Sequence, residues 1–308
     1  MSRNRNHIQI SALLCLSALC AASGASSGAW AAQQQSSGLA ALFDENRPLA
    51  TPGLSTLDGS SGGGLASWAT IGGYGSDKGL GTAFHYTYIN VTNYQDQNVG
   101  MLLGLFNRVE ISYTHNFLQT GSSGRKLGIG NDYTFDLDNF GIKGRLFGNI
   151  AGAGLLPQVA IGMMYKHARD ARVIDAVGGK STQGADFYVA ATRIFGKAHL
   201  ILDTTVRFTR SNQVGLLGFG GDRDNSYHPQ FEGSLGYLPP FIPRLVVGVE
   251  FRTKPKTLFF SPENNWFDAY ASYFLNKHLN LTLAYVSLGT IANFRNQTGV
   301  YASLQTGF

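Results

Sequence analysis

Residues 299–308, GVYASLQTGF, set Val300, Ala302, Leu304, Thr306 and Phe308 on one face of an extended chain and Tyr301, Ser303 and Gln305 on the other. Period two sustained over ten residues reads as a strand with one mostly apolar face and one polar face. The run stops on an aromatic, Phe308. A strand edge left open exposes a row of N–H and C=O groups, which water satisfies and lipid does not. The stretch therefore predicts a sheet closed on itself, with the last strand paired to the first. Leu304 and Phe308 are the positions expected to form a C-terminal signal for its assembly.

The same period recurs upstream. Val109, Ile111, Tyr113, His115 and Phe117 alternate with Glu110, Ser112, Thr114 and Asn116, one face fit for lipid and the other for water. Similar strands are read at residues 80–89, 99–106, 140–147, 159–166, 186–194, 200–209, 231–237, 245–252, 266–275 and 279–286. Two weaker segments, 65–72 and 53–57, bring the expected count to about 14, with 12 as the alternative. Connections alternate in length. Asn107-Arg108, Phe195-Gly196-Lys197 and Asn276-Lys277-His278 are tight, while 118–139, 167–185, 211–226 and 253–265 are long and polar. The expected fold class is all-β: one antiparallel up-and-down transmembrane barrel over residues 51–308, with short periplasmic turns and long extracellular loops. An even count puts both ends of the barrel on the periplasmic side.

The beginning of the chain agrees. Arg3 and Arg5 precede an apolar run at 10–22, and Ala29-Trp30-Ala31 places small residues where signal peptidase reads, so 1–31 is expected to be a cleaved leader. Cys20 raises a lipoprotein alternative, which the bulky Leu19 before it weakens. Both cysteines, Cys15 and Cys20, leave with that leader, and with them any disulfide, thiolate metal site or cysteine nucleophile. Loss of Arg3 and Arg5 takes the 24 basic residues to 22 against 19 acidic ones, too small an excess to imply a nucleic-acid partner. The 39 glycines, 20 phenylalanines and 14 tyrosines favour strands and turns. Residues 32–50 fit no strand and are expected to be a periplasmic segment or a plug.

Aromatics near the ends of outward runs, among them Tyr86, Tyr113, Tyr165, Phe251 and Tyr285, fit an interfacial girdle, although a sandwich would also bury aromatics on one face. Four motifs then carry a family likeness. Leu54-Ser55-Thr56-Leu57-Asp58-Gly59 running into Gly62-Gly63-Gly64-Leu65, 187–192 (FYVAAT), 215–222 (GLLGFGGD) and 276–285 (NKHLNLTLAY) resemble an uncharacterised group of Gram-negative outer-membrane proteins, Domain of Unknown Function 3034. The resemblance runs from about Gly53 to Phe308. It implies a barrel in the outer membrane and carries over no catalytic residue.

Motifs for chemistry are weak. Gly59-Ser60-Ser61-Gly62-Gly63 matches a nucleophile elbow, but so does Gly24-Ala25-Ser26-Ser27-Gly28 in the leader, and three consecutive glycines preclude the helix that an elbow needs. Gly179-Lys180-Ser181 lacks the leading glycine of a phosphate loop, where Ile174 stands. The seven histidines show no metal-ligand spacing, and Asp222, Asp224 and Asn225 lack the glycine and glutamate of a calcium loop. No cofactor or metal is expected.

The inward faces carry the informative charges: Glu110, Asp203, Glu232, Glu250 and Asp268 against Lys143, Arg145, Lys166, Arg207 and Arg252. A barrel wider than about eight strands is not filled by its own side chains, so these are expected to line a lumen, either as a constriction or as pairs that stiffen the wall. The near-balance of sign predicts weak ion selectivity. The leading expectation is a non-enzymatic, porin-like channel for small hydrophilic solutes. A non-conducting envelope or surface-interaction barrel is the alternative, and a lipid hydrolase using His85 or His115 a third. Expected partners are outer-membrane lipid, lipopolysaccharide, periplasmic chaperones and the barrel-assembly machinery.

Overall fold

The computed structural model of the chain describes residues 43–44, 47–48, 54–73, 79–151 and 154–308. The expected leader, 1–31, lies outside them. So does the segment 32–50, apart from a two-residue antiparallel ladder of Phe43–Asp44 with Arg47–Pro48.

Twelve antiparallel strands close into a barrel. They are β1 (Leu80–Val91), β2 (Gln95–Leu105), β3 (Val109–Gln119), β4 (Thr134–Phe147), β5 (Gln158–Ala168), β6 (Gln183–Phe195), β7 (Leu200–Thr209), β8 (His228–Tyr237), β9 (Leu245–Arg252), β10 (Trp266–Phe274), β11 (Leu279–Ser287) and β12 (Thr298–Gly307). Each pairs with its successor, and β12 returns to β1 in a ladder from Gly299↔Val91 to Gly307↔Ala83. Mutual hydrogen bonds between Thr82 and Phe308, N to O at 2.8 and 2.7 Å, finish that seam. No helix among the described residues is long and apolar enough to cross a membrane.

The count of 14 is therefore corrected to 12. Residues 54–57 and 65–72, read as strands, join no barrel ladder and form only isolated bridges, Ser55↔Ser61 and Gly62↔Ser67; Gly53 lies outside the described residues. The reason is physical. A spanning strand needs about 9–11 residues with an apolar stripe, and this Gly- and Ser-rich stretch has neither the length nor the stripe.

Connections 106–108, 148–157, 196–199, 238–244 and 275–278 lie at one end of the barrel, where β1 begins and β12 finishes. Connections 120–133, 169–182, 210–227 and 253–265, each longer than any at the first end, lie at the other, with 288–297, equal in length to 148–157, and the brief 92–94. The outward face is apolar, exposing residues such as Ile111, Ile142, Val189, Leu202, Val249 and Leu283. Two buried apolar clusters sit inside. One, towards the long loops, joins Leu57 and Leu65 to Val214, Leu217, Leu258 and Ile291; the other joins Leu54 and Trp68 to Ile194, Ile201, Val246 and Phe274.

Candidate functional site

Residues 54–73 occupy the lumen between those clusters and fold on themselves. Thr56 N bonds Ser60 O (2.9 Å), Leu57 N bonds Gly64 O (3.1 Å), Gly62 N bonds Leu54 O (3.0 Å) and Trp68 N bonds Ser61 O (3.2 Å). Gly59 makes the sharpest of these turns at φ +94°, a conformation that favours glycine.

Amides left over by this folding are satisfied by wall side chains. Glu110 accepts from Ser61 N (2.9 Å) and Gly72 N (2.8 Å), Glu250 from Leu65 N (2.7 Å) and Glu232 from Ser67 N (3.0 Å). Thr192 accepts from Ala69 N (2.7 Å), and Gln305 on β12 from Ser55 N (3.0 Å). In return Lys143 Nζ donates to Ser61 O (3.0 Å) and Trp68 O (3.1 Å), Thr205 to Ser67 O (2.6 Å) and Gln158 to Ala69 O (2.6 Å). The wall side chains supply the partners that a neighbouring strand would otherwise give, so a buried irregular segment keeps its backbone bonded.

A charged layer surrounds Asp58. Its carboxylate meets Lys166 at 3.2 Å, Arg252 at 3.1 Å and Arg207 at 3.7 Å. Lys166 also pairs with Asp186 (3.0 Å), Arg207 with Glu232 (2.6 Å) and Arg252 with Glu232 (3.4 Å). The Arg207 guanidinium lies 4.8 Å from the Tyr188 ring centroid. Lys143 pairs separately with Glu110 at 3.1 Å. Glu250 and Asp268 are cross-strand neighbours on β9 and β10, and Asp203 accepts from the hydroxyls of Thr192 and Thr205. Arg145 sits apart, half-buried near the short turns, and donates to Gly148 O at 2.6 Å. At the chain end Leu304 pairs with Leu281 and Tyr86, and the Phe308 ring stacks on His278 at 5.4 Å.

Two acids of this layer escape sequence reasoning. Asp186 shares the parity of Tyr188, Ala190 and Thr192, so alternation alone could have placed it inside. Asp58 gave no such signal, because its stretch reads as a turn between strands. Asp186 adds a sixth acid to the five read on the wall, and Asp58 adds its charge from the plug itself.

At the long-loop end, loop 210–227 folds back as a cap. Phe219 is fully buried and bridges Ser181 and Ser211. Beside it Lys254 pairs with Glu263 at 3.1 Å and lies 4.3 Å from the Trp266 ring centroid. Burial pushes the Lys254 ammonium below its ordinary value, against the pull of Glu263.

The hydrolase candidates do not converge. His85 faces inward, with Thr114 Oγ1 as its partner at 3.5 Å, whereas His115 faces outward and contacts Asp138 (2.7 Å) and Asp136 (3.3 Å). Neither has a serine partner. Ser61 does meet Lys143 Nζ at 2.7 Å, but that ammonium also pairs with Glu110 and donates to the carbonyls of Ser61 and Trp68, contacts that hold the plug to the wall. Asp222 and Asp224 turn to different partners, Phe259 N and Ser226 N. Among the described residues no group of three or more His, Cys, Asp or Glu side chains is arranged to hold a metal ion.

Residues 51–305 match the family described as Protein of unknown function (DUF3034). The chain belongs to this family. None of the curated proteins matches this DUF3034 member significantly. Solved structures similar to it include the KdgM porin, with 10% identity and TM-score 0.47 over 73% of this chain and 99% of that one. Outer membrane phospholipase A from Escherichia coli is 13% identical, with TM-score 0.43 over 77% and 94%. Omp33 of Acinetobacter baumannii is 9% identical, with TM-score 0.43 over 74% and 97%.

Proposed function

We propose that this DUF3034 protein is an outer-membrane barrel whose channel for small hydrophilic solutes is closed by its own residues 54–73, and that passage requires this segment to rearrange. The barrel side of the reading is supported by the closed ladder, the apolar outward face and the alternation of connection lengths. Short turns would then face the periplasm and long loops the exterior, after the leader is removed. Leu304 and Phe308 would be read by the assembly machinery, and lipopolysaccharide would meet the outer rim.

One observation carries the gating side: the plug is held to the wall by hydrogen bonds and ion pairs rather than by strand pairing or a covalent link. Such contacts can be exchanged for water if the segment shifts. Glu110, Lys143, Lys166, Asp203, Arg207, Glu232, Glu250, Arg252 and Asp268 would line the path once it clears, with Arg145 near its periplasmic mouth. Asp58 leaves the path with the plug, so acids and bases stay near balance there and weak ion selectivity is expected.

The mature chain has no cysteine, so a lock can be engineered cleanly. Ser67→Cys with Thr205→Cys joins the plug to β7, whose Thr205 already bonds Ser67 O. In planar bilayers the wild type should open in discrete steps, the oxidised double variant should stay silent, and reductant should restore openings. Openings that persist in the oxidised variant would sink the gating reading. The packing of apolar clusters against both ends of the plug favours a second reading, a non-conducting envelope barrel. Its signature is silence of the wild type at high protein load.

A further inference from the structure

The outward surface differs between the two ends of the barrel. Towards the long loops the strand surface turns polar, through Gln97, Gln119, Asp136 and Gln183, with Phe259 and Tyr227 exposed among the loops beyond it. Towards the short turns it stays apolar to the strand ends, where Leu80, Phe106, Phe147 and Leu275 are exposed. The turns themselves continue it: Leu155 is 81% exposed and Phe241 76%, beside Leu156 and Ile242. An apolar belt that runs past the strand ends sets these turns in the interfacial layer of a bilayer instead of bulk water.

The same turns carry Arg108, Lys197, Arg244 and Lys277, and their described residues include no Asp or Glu. Arg108 and Lys197 are exposed, and Arg244 is half-buried, with one guanidinium nitrogen donating to Leu275 O at 3.2 Å. The long loops, in contrast, mix both signs, with Asp132, Asp170, Asp175, Asp222 and Asp224 among their cations. Cations fixed at headgroup depth, flanked by side chains that enter the acyl boundary, match a ligand with a phosphate anion on top and fatty chains below.

We infer that the short-turn rim is a binding surface for anionic glycerophospholipids. Arg108, Lys197 and Arg244, on three separate turns around the ring, each meet a headgroup phosphate, and Leu155, Leu156, Phe241 and Ile242 pack on the chains. This rests on the membrane-barrel reading and not on the gating one.

The purified barrel in neutral detergent is mixed with equal phosphatidylglycerol and phosphatidylcholine, and retained lipid is counted by native mass spectrometry. The wild type should hold phosphatidylglycerol in several-fold excess. Arg108→Gln, Lys197→Gln and Arg244→Gln together should cut its retention roughly fivefold at each site, given the usual gain per cation near an anionic surface. An equivalent set at the long-loop end, Arg125→Gln, Lys126→Gln and Arg295→Gln, should leave it in place. If the triple variant does not migrate as a folded barrel, the single Arg108→Gln and Lys197→Gln variants, both at exposed turn positions, should each lower the preference. Equal retention of the two lipids by the wild type, a preference that survives the triple variant, or full displacement of lipid by millimolar inorganic phosphate would overturn the inference. Failure to insert into vesicles would instead overturn the membrane reading, and silence in planar bilayers would bear on gating alone.

Discussion

Asp58 is the residue on which the lumen is centred, since one carboxylate meets three buried cations. Asp58→Asn removes that charge while keeping the shape, and breaking a buried pair from one side typically costs about 3–5 kcal/mol. The expected outcome is a loss of that order, read as a lower midpoint for the conversion from fast to slow gel migration on heating. Gly63 is the steric counterpart. A Cβ there would fall on the Glu250 carboxylate that accepts from Leu65 N. Gly63→Ala should therefore loosen the plug while leaving the strand ladder intact, seen as faster proteolysis within 54–73 and more frequent openings. Legibility differed between such residues for a clear reason. Period two assigns a face to any residue within a strand, so Glu232 and Arg207 were readable, and Asp186 could have been. It says nothing about Asp58, whose role depends on where an irregular segment is placed.

Among elements, the strong strands were legible because each shows an apolar stripe against a polar one for eight or more residues, as in β3 and β12. The plug was not, because short apolar patches such as 65–72 look like strands until their backbone partners are known. In this chain those partners are carboxylates and hydroxyls far away in sequence, which no local pattern encodes. The cap was missed for a related reason: loop 210–227 is glycine-rich and polar at its edges, yet it buries Val214, Leu217 and Phe219. Its neighbour 253–265 allows a pH test. Lys254 binds its proton less tightly in the docked loop than in an open chain, so the undocked state holds more protons as pH approaches the ordinary lysine value of 10.5. Docking should then strengthen with rising pH, measured as slower proteolysis between Thr253 and Asn265. Protection that falls over that range would contradict the burial of this ammonium.

At the scale of the molecule, closure and even parity were readable from the alternation of connections, whereas the choice of twelve strands over fourteen was not. Parity is kept at twelve because both weak segments drop out together. Deleting residues 54–73 removes no strand, so the variant should still run faster unboiled than boiled, with a lower heating midpoint because Lys166, Arg207 and Arg252 lose Asp58. A variant that no longer shows the faster band would mean that the wall cannot close around an empty interior. The bond from Ser55 N to Gln305 Oε1 links the plug to the very strand that completes the ring. The stave that seals the ring thus also grips the stopper, so any slackening of that seam is felt by the plug, and a shift of the plug is felt at the seam.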